Sequence, residues 1–378
     1  METTNYVEVE EAVVTDLSAA TPAPEGTYWE WILGHERMPS FDRLLILTFG
    51  TRIVGVVRAI AELGIADQLK DGPLHVAELA AASSADELSL FRLMRAAAAL
   101  GLFAELEDGR FTMTLEAEPL RSDIDRSLRD LVLFSGADWA ARPFMALADG
   151  VRTGRSAFEL VHGKTFYEYA ESNPEQGALF DRTMAQRNWL SAMSLLRQVD
   201  FSPFSSLADL GGGHGAFLNA VLRRYPSLEG VLFDRAQVIR DAESLLVGQD
   251  IADRVRVEAG DLFETVPEGH DVYTLSAVLS GFDDEQANRI LRRVRTAMGT
   301  DPTRRLFVFE KVLIETRNRF DYSKLLDVDM LVLFGGRERT WREWHTLFDG
   351  AGLELLGDAP DSSQSPWAAL ECRVALPA

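Results

Sequence analysis

The sequence predicts an α/β protein in two parts: a mostly α-helical N-terminal part, then a C-terminal part built on a doubly wound, mostly parallel sheet. Three observations carry that prediction. From residue 205 onward, short apolar runs alternate with amphipathic stretches, the rhythm of βαβ units. A glycine-rich turn, DLGGGHG at 209–215, closes the first of those runs. Before residue 200 the apolar spacing is helical almost throughout, broken by one hairpin signal.

Taken in order, residues 1–26 hold six acidic side chains, no basic ones and the stretch TPAPEG, the composition of a mobile tail. Strongly apolar helical spacing runs through 41–69, and Gly64 and the Gly72–Pro73 pair punctuate its end. Two short helices follow, the second starting at an Asp86–Glu87 cap. A hairpin comes next, LFAEL and RFTMT, with Gly109 supplying the positive φ of its turn. Helix–turn–helix plus a two-stranded wing is a winged-helix pattern. DNA binding does not suit it, because nine acids face only four arginines over 75–123. A structural or dimerising winged helix is the expectation. Aromatic helical segments then run to about 200.

In the C-terminal part, SLADL, EGVLFD, VRVEAGD, DVYTLSAVL and RLFVFEKVL read as strands. GAFLNAVLRRYPS, QVIRDAESLLVG and DEQANRILRRVRTAMG read as helices between them. The expected division is a tail at 1–26, a helical winged-helix part at 27–200 and a Rossmann-like cofactor-binding part at 201–378. A ligand would bind beyond the carboxyl ends of the strands, at the point where strand order reverses.

Composition bounds the functions. The 378 residues, 47% of them hydrophobic, suit two domains with substantial cores. A net charge of −21 and a pI near 4.7 oppose nucleic-acid and anionic-membrane partners. The single cysteine, Cys372, excludes an internal disulfide and any multi-cysteine metal site. No apolar run is expected to approach 18 residues, and METTNYVEVEEAVVTD carries acids where a signal peptide carries bases. The expectation is a soluble cytoplasmic protein acting on a small molecule.

The chemistry starts at the glycine turn. Three close glycines admit a ligand to the backbone N–H groups without a Cβ in the way. The string also fits G-x-G-x-x-A, so a dinucleotide is one candidate, and a merely tight strand–helix turn is another. The acids favour a third. Asp209 precedes the first glycine and suits a cationic amino-acid end, through water or through the loop backbone. Asp234 closes the next strand, placed to accept both ribose hydroxyls of an adenosine. Asp261 closes the third, where an adenine amino group can be read while Leu262 or Phe263 packs on the ring. A pyrophosphate would be repelled by Asp209, so S-adenosylmethionine (SAM) fits this set better than a dinucleotide.

DLGGGHG, VLFD, AGDLFE, VLSGFDDEQANRILRRVRTAM and GGRERTWREW stand in the order found in small-molecule O-methyltransferases. The chain resembles the plant phenolic type and its bacterial natural-product counterparts over about residues 45–375. The resemblance implies a class I methyltransferase domain behind an N-terminal winged-helix dimerisation domain, and a homodimer. It implies cofactor contacts at Gly211, Gly213, Asp234, Asp261, Leu262 and Ser276. It also implies acceptor-ring contacts at Met184 and Met330, which the residues alone would assign to core packing.

One departure bears on mechanism. Where much of the family reads V-L-H-D-W-x-D-E and its histidine deprotonates the acceptor, this chain reads VLSGFDDE. Ser280 takes the place of the base and Gly281 that of its neighbouring acid. Ser280 is thereby expected to line the substrate pocket, and a serine is no general base at neutral pH. Glu310 and Glu338 match the glutamates that flank the histidine in relatives, and are the candidates for a direct catalytic role. Asp283–Glu285 are expected to cap the next helix. No metal site is expected. His214, His345 and His162 do not replace the base, and His35, His75 and His270 read as surface or loop residues.

Three functions follow. The first is a SAM-dependent methyltransferase of a small aromatic or polyketide-like metabolite, with O-methylation favoured and acting by proximity and orientation. The second is a SAM-binding relative with non-methylating chemistry, hydroxylase or pericyclase-like. The third is a non-catalytic SAM-binding or regulatory protein.

Overall fold

The computed structural model describes residues 40–124, 127–239, 251–315, 317, 323–359 and 367–375, with side chains left aside at 40–43 and 185–195. The expected tail at 1–26 and most of the expected helix at 237–248 lie outside these residues. The chain divides into two compact units, Met1–Asp138 and Trp139–Ala378.

In the first unit, helices α1 (Ser40–Leu47), α2 (Gly50–Glu62) and α3 (Ile65–Gln68) precede β1 (Leu74–His75), α4 (Val76–Ser83) and α5 (Glu87–Ala99). The expected cap is present, with the Asp86 side chain accepting from the Ser89 amide. Strands β2 (Phe103–Glu105) and β3 (Arg110–Met113) form the wing, turned by Gly109 at φ +79°, and β1 adds to β3 as a third antiparallel strand. Ile60, Ile65, Leu79, Met94, Phe103 and Phe111 close the core beneath it.

One expectation is corrected here. The stretch Leu44–Glu62, 19 residues at mean hydropathy 1.8, is long and apolar enough to cross a membrane by length and composition. Arg52 and Arg58 interrupt it in the sequence and hide it from a search for uncharged runs. Only 17% of its 18-residue window is buried, and Leu44, Leu47 and Val54 stand exposed. Such a face needs a partner surface.

The second unit begins with helices, of which α6 (Phe166–Ser172) and α7 (Pro174–Leu195) bear on the site. The sheet follows: β4 (Ser206–Leu210), β5 (Glu229–Asp234), β6 (Val255–Ala259), β7 (Val272–Ser276), β8 (Arg305–Leu313), β9 (Arg339–Thr340), β10 (Leu353–Leu355) and β11 (Trp367–Val374). Their order is β10-β11-β8-β7-β4-β5-β6, with β9 paired to the end of β8. All pairings from β8 to β6 are parallel, and among the described strands of this sheet β11 alone, antiparallel to both β8 and β10, runs against the rest. Order reverses at β4, so its carboxyl end opens between β5 and β7, where such sheets bind ligands.

Two features differ from the sequence reading. The compact units part at Asp138, whereas the expected boundary lay at 200. The helices after Trp139 sink their rings into the second unit: Phe166 packs on Phe334 at 4.7 Å, and Ser156 donates to the Val332 carbonyl at 2.9 Å. The fourth strand ends at Ser276, not Leu279. Ala277 turns the chain at φ +54°, strained for a residue with a Cβ, and a single 3₁₀ turn, Leu279–Gly281, follows.

Candidate active site

The glycine loop joins β4 to the helix Ala216–Arg224. Gly211 stands at φ +67°, and a Cβ on it would lie 2.8 Å from Val278 Cγ2, so only glycine fits. Gly213, at φ +60°, has nothing within 4 Å of where a Cβ would be, which leaves an open face for a ligand. Its amide donates to Asp234 Oδ2 at 2.8 Å, and the Arg235 amide donates to Asp234 Oδ1 at 2.7 Å. Burial nonetheless pushes the Asp234 carboxyl upward, against the pull of those two amides.

Asp209 lies beneath the glycine loop. It is fully buried, accepts from Thr274 Oγ1 at 2.7 Å, and turns its unpartnered Oδ2 toward Gly212. Burial raises it to about 7. It supports the loop from beneath; the sequence expectation was that it serves a cationic ligand end through water or through the backbone of that loop. At the third strand end Asp261 is exposed and its Oδ1 accepts from the Phe263 amide at 2.9 Å. Phe263 meets Phe282 edge-on at 5.3 Å, and Leu262 packs beside them in the core. Ser276, half-buried, ends β7. An open glycine cradle, a carboxylate at each of two neighbouring strand ends and an aromatic edge fit an adenosyl cofactor.

The turn holding Ser280 is tied down from several sides. Fully buried Arg339 donates to the Leu279 carbonyl at 3.0 Å and the Phe282 carbonyl at 2.9 Å, and pairs with Asp284 at 2.9 Å. The Arg337 amide donates to the Ser280 carbonyl at 2.9 Å. Beneath the turn the Ser280 amide donates to Glu310 Oε1 at 3.1 Å. Glu338 Oε1 pairs with Lys311 Nζ at 2.9 Å, and Lys311 lies over the Trp367 ring. Both Glu310 Oε2 and Glu338 Oε2 are buried without a partner. Burial first, then repulsion from Glu338, pushes the Glu310 carboxyl well above the ordinary carboxylate range, with Lys311 and Ser280 pulling the other way.

The structure therefore gathers Ser280, Glu310 and Glu338 into one cluster. Met184 lies on α7, four residues after Phe180, and Met330 opens the π-helical turn Met330–Phe334. Phe180 and Phe334 meet at 6.1 Å, which brings the two elements together. Asp283 caps the following helix as expected, accepting from the Gln286 amide at 2.8 Å. His270, read as a surface or loop residue, is buried edge-on against Tyr273, and burial lowers its pKa. His75 caps α4, and His162 bonds the Trp139 carbonyl. His35 lies outside the described residues. No group of three His, Cys, Asp or Glu side chains converges as a metal site among the described residues.

Sequence reasoning missed Tyr167. Its ring stacks near Phe282 at 6.3 Å, lies under the Arg235 guanidinium at 4.8 Å, and brings its hydroxyl against Gly281. It links the Asp234 strand end to the Ser280 turn. The only local signal was the capping box of TFYE, which starts the helix without indicating where its second residue points.

Comparison with known proteins gives a consistent result. The O-methyltransferase domain family matches residues 144–354, and the O-methyltransferase dimerisation domain family matches 45–118. The chain is 36% identical over 342 residues to the 8-amino-8-demethylriboflavin N,N-dimethyltransferase of Streptomyces davaonensis, covering 90% of this chain and 97% of that one. It superimposes on the mitomycin 7-O-methyltransferase at a TM-score of 0.82 with 33% identity, covering 89% and 98% of the two chains. An O-methyltransferase from neocarzinostatin biosynthesis, solved with SAM and 2-hydroxy-5-methyl naphthoic acid, gives a TM-score of 0.74 and 31% identity over 85% and 96%.

Proposed function

The chain belongs to the O-methyltransferase family and is a SAM-dependent methyltransferase; from that premise, we propose that it methylates a hydroxyl of a small aromatic or polyketide-like natural-product intermediate. The observation that carries this is the junction of two half-sites at neighbouring strand ends. An open glycine cradle with Asp234 lies at the ends of β4 and β5, and the Ser280 turn with its buried carboxylates lies beyond β7. Relatives acting on hydroxylated aromatics support the acceptor class.

Bound SAM would supply an electrophilic methyl on a sulfonium. Gly211 and Gly213 would face its methionine end. Asp234 would take the ribose hydroxyls, and Asp261, Leu262 and Phe263 the adenine. Ser276 would border the same cofactor at the end of β7. Met184 and Met330 would hold the acceptor ring. Holding oxygen and methyl carbon in line is worth several orders of magnitude in rate by itself, and more when the acceptor is already acidic. Glu310 and Glu338 are the groups we assign to proton handling, since the serine at the usual base position has none of the needed basicity. The protein would work as a homodimer in the cytoplasm, its N-terminal helices providing the shared face.

The reading is tested by incubating the protein with SAM and hydroxylated aromatic acids and naphthols. S-adenosylhomocysteine together with a product heavier by one methylene supports it. A changed acceptor with no S-adenosylhomocysteine would point to non-methylating chemistry.

A further inference from the structure

Ser280 stands where the family's imidazole would take the acceptor proton, and its hydroxyl has negligible basicity near neutral pH. What it has is a neighbour. Its amide donates to Glu310 Oε1 at 3.1 Å, and its hydroxyl faces the same carboxylate. Glu310 is wholly buried beneath the turn, and its second oxygen has no partner. Glu338, also buried, keeps one oxygen on Lys311 and leaves the other unpartnered. With both carboxylates ionised, the cluster of Glu310, Glu338 and Lys311 would carry an uncompensated buried charge. One added proton makes it neutral, so it is built to receive one.

We propose that Ser280 relays the acceptor's proton to Glu310, the buried glutamate pair serving as the proton store that replaces the histidine. The proposal rests on the O-methyltransfer reading. In the step, the acceptor oxygen bonds the methyl carbon as the carbon–sulfur bond breaks and its electron pair stays on sulfur. The acceptor O–H proton passes to Ser280 Oγ while the Ser280 hydroxyl proton passes to Glu310. Serine ends as a neutral hydroxyl and Glu310 as a neutral acid, and the proton later leaves to water.

The surroundings favour this route over its competitors. The charged and titratable groups acting on Glu310 are Glu338 and Lys311, with Tyr167 reaching it from α6. Glu338 is the more firmly engaged acid, bonded to Lys311 through its side chain and to Asp327 through its amide. Tyr167 is raised to about 12 by burial and stays protonated, a donor and no base. Asp283 is committed to its helix cap. Glu310, poised by burial to hold a proton near neutrality, is the acceptor that remains.

The test is a rate series with substituted phenols and naphthols of graded acidity, using native enzyme, Ser280→Ala, Ser280→Thr and Glu310→Gln. Affinity for S-adenosylhomocysteine, measured by calorimetry, shows whether each variant keeps its cofactor site. With weakly acidic acceptors, Ser280→Ala and Glu310→Gln are expected to lose about a hundredfold in kcat, the usual worth of a placed base. The loss shrinks as the acceptor becomes more acidic, so the dependence of rate on acceptor pKa steepens. Both variants lose the rise of kcat with pH near neutrality, and Ser280→Thr recovers most of the rate. Unchanged rates and pH profiles in Ser280→Ala, at unchanged cofactor affinity, overturn the relay while leaving O-methyltransfer standing. No transfer by the native enzyme to any of these acceptors overturns both.

Discussion

The Ser280 amide rests on Glu310, donating to its Oε1 at 3.1 Å. The residue that departs from the family pattern is thus bonded to a residue that keeps it. Decay of an unused site would not preserve two buried carboxylates with unpartnered oxygens, because each costs free energy to bury. Their retention beneath the turn is the physical reason to give them work.

Gly336 should tolerate no side chain. A Cβ there would collide with the Ser280 carbonyl oxygen and lie 2.5 Å from the Gly281 carbonyl carbon. Both are backbone, so the turn itself must shift. Gly336→Ala is expected to lower kcat at least tenfold, because a displacement of about an ångström misaligns the reacting groups. Affinity for S-adenosylhomocysteine should hold, since the glycine cradle lies elsewhere. Steady-state kinetics beside calorimetry separates the two effects.

Arg339 is a buried cation that ties the turn together. Arg339→Met removes its bonds to the Leu279 and Phe282 carbonyls, leaving the first only the Phe282 amide, and leaves Asp284 paired with Arg337 alone. The expected cost is about 1–3 kcal/mol, read by urea denaturation. Arg339→Lys recovers only part of it, since one ammonium cannot match the planar fork.

Asp209 makes stability fall as pH rises. Its folded-state value of about 7 lies above the 3.8 of a free aspartate, so between those values the folded chain holds a proton that the unfolded chain has released. Stability from this group declines through that window by on the order of a few kcal/mol. Asp209→Asn keeps the shape and the Thr274 bond while removing the titration. Its melting temperature relative to the native protein should therefore be higher at pH 8 than at pH 5. An equal difference at both pH values would contradict the shift.

The exposed apolar side chains of α1 and α2 are expected to lie in the dimer. Leu47→Asp with Val54→Asp places two charges on that face, and sedimentation should show a folded monomer at concentrations where the native chain is a dimer. A dimer of undiminished stability would locate the interface elsewhere.

Legibility from sequence followed the range of the interaction. The glycine loop, the strand-end acids and the caps at Asp86 and Asp283 were readable because each is fixed within a few residues. Glu310 and Glu338 came from family motifs, and their coupling through burial was invisible until the fold brought them together. Tyr167 was missed because what matters is its meeting with Gly281 and Arg235, far along the chain. The boundary near 138 was missed because helical spacing does not say which core the aromatic helices join. β10 and β11 were missed for different reasons: the first is three residues long, and the second follows the parallel βαβ rhythm that it breaks.

The central claim, methyl transfer to an aromatic hydroxyl from SAM held at the β4–β5 cradle, is tested most directly with methyl-labelled SAM and a hydroxynaphthoic acid panel. The account predicts label in an aryl methyl ether, in step with S-adenosylhomocysteine, and loss of both in Asp234→Ala. Label on carbon or nitrogen alone, or an altered acceptor without label, would contradict it.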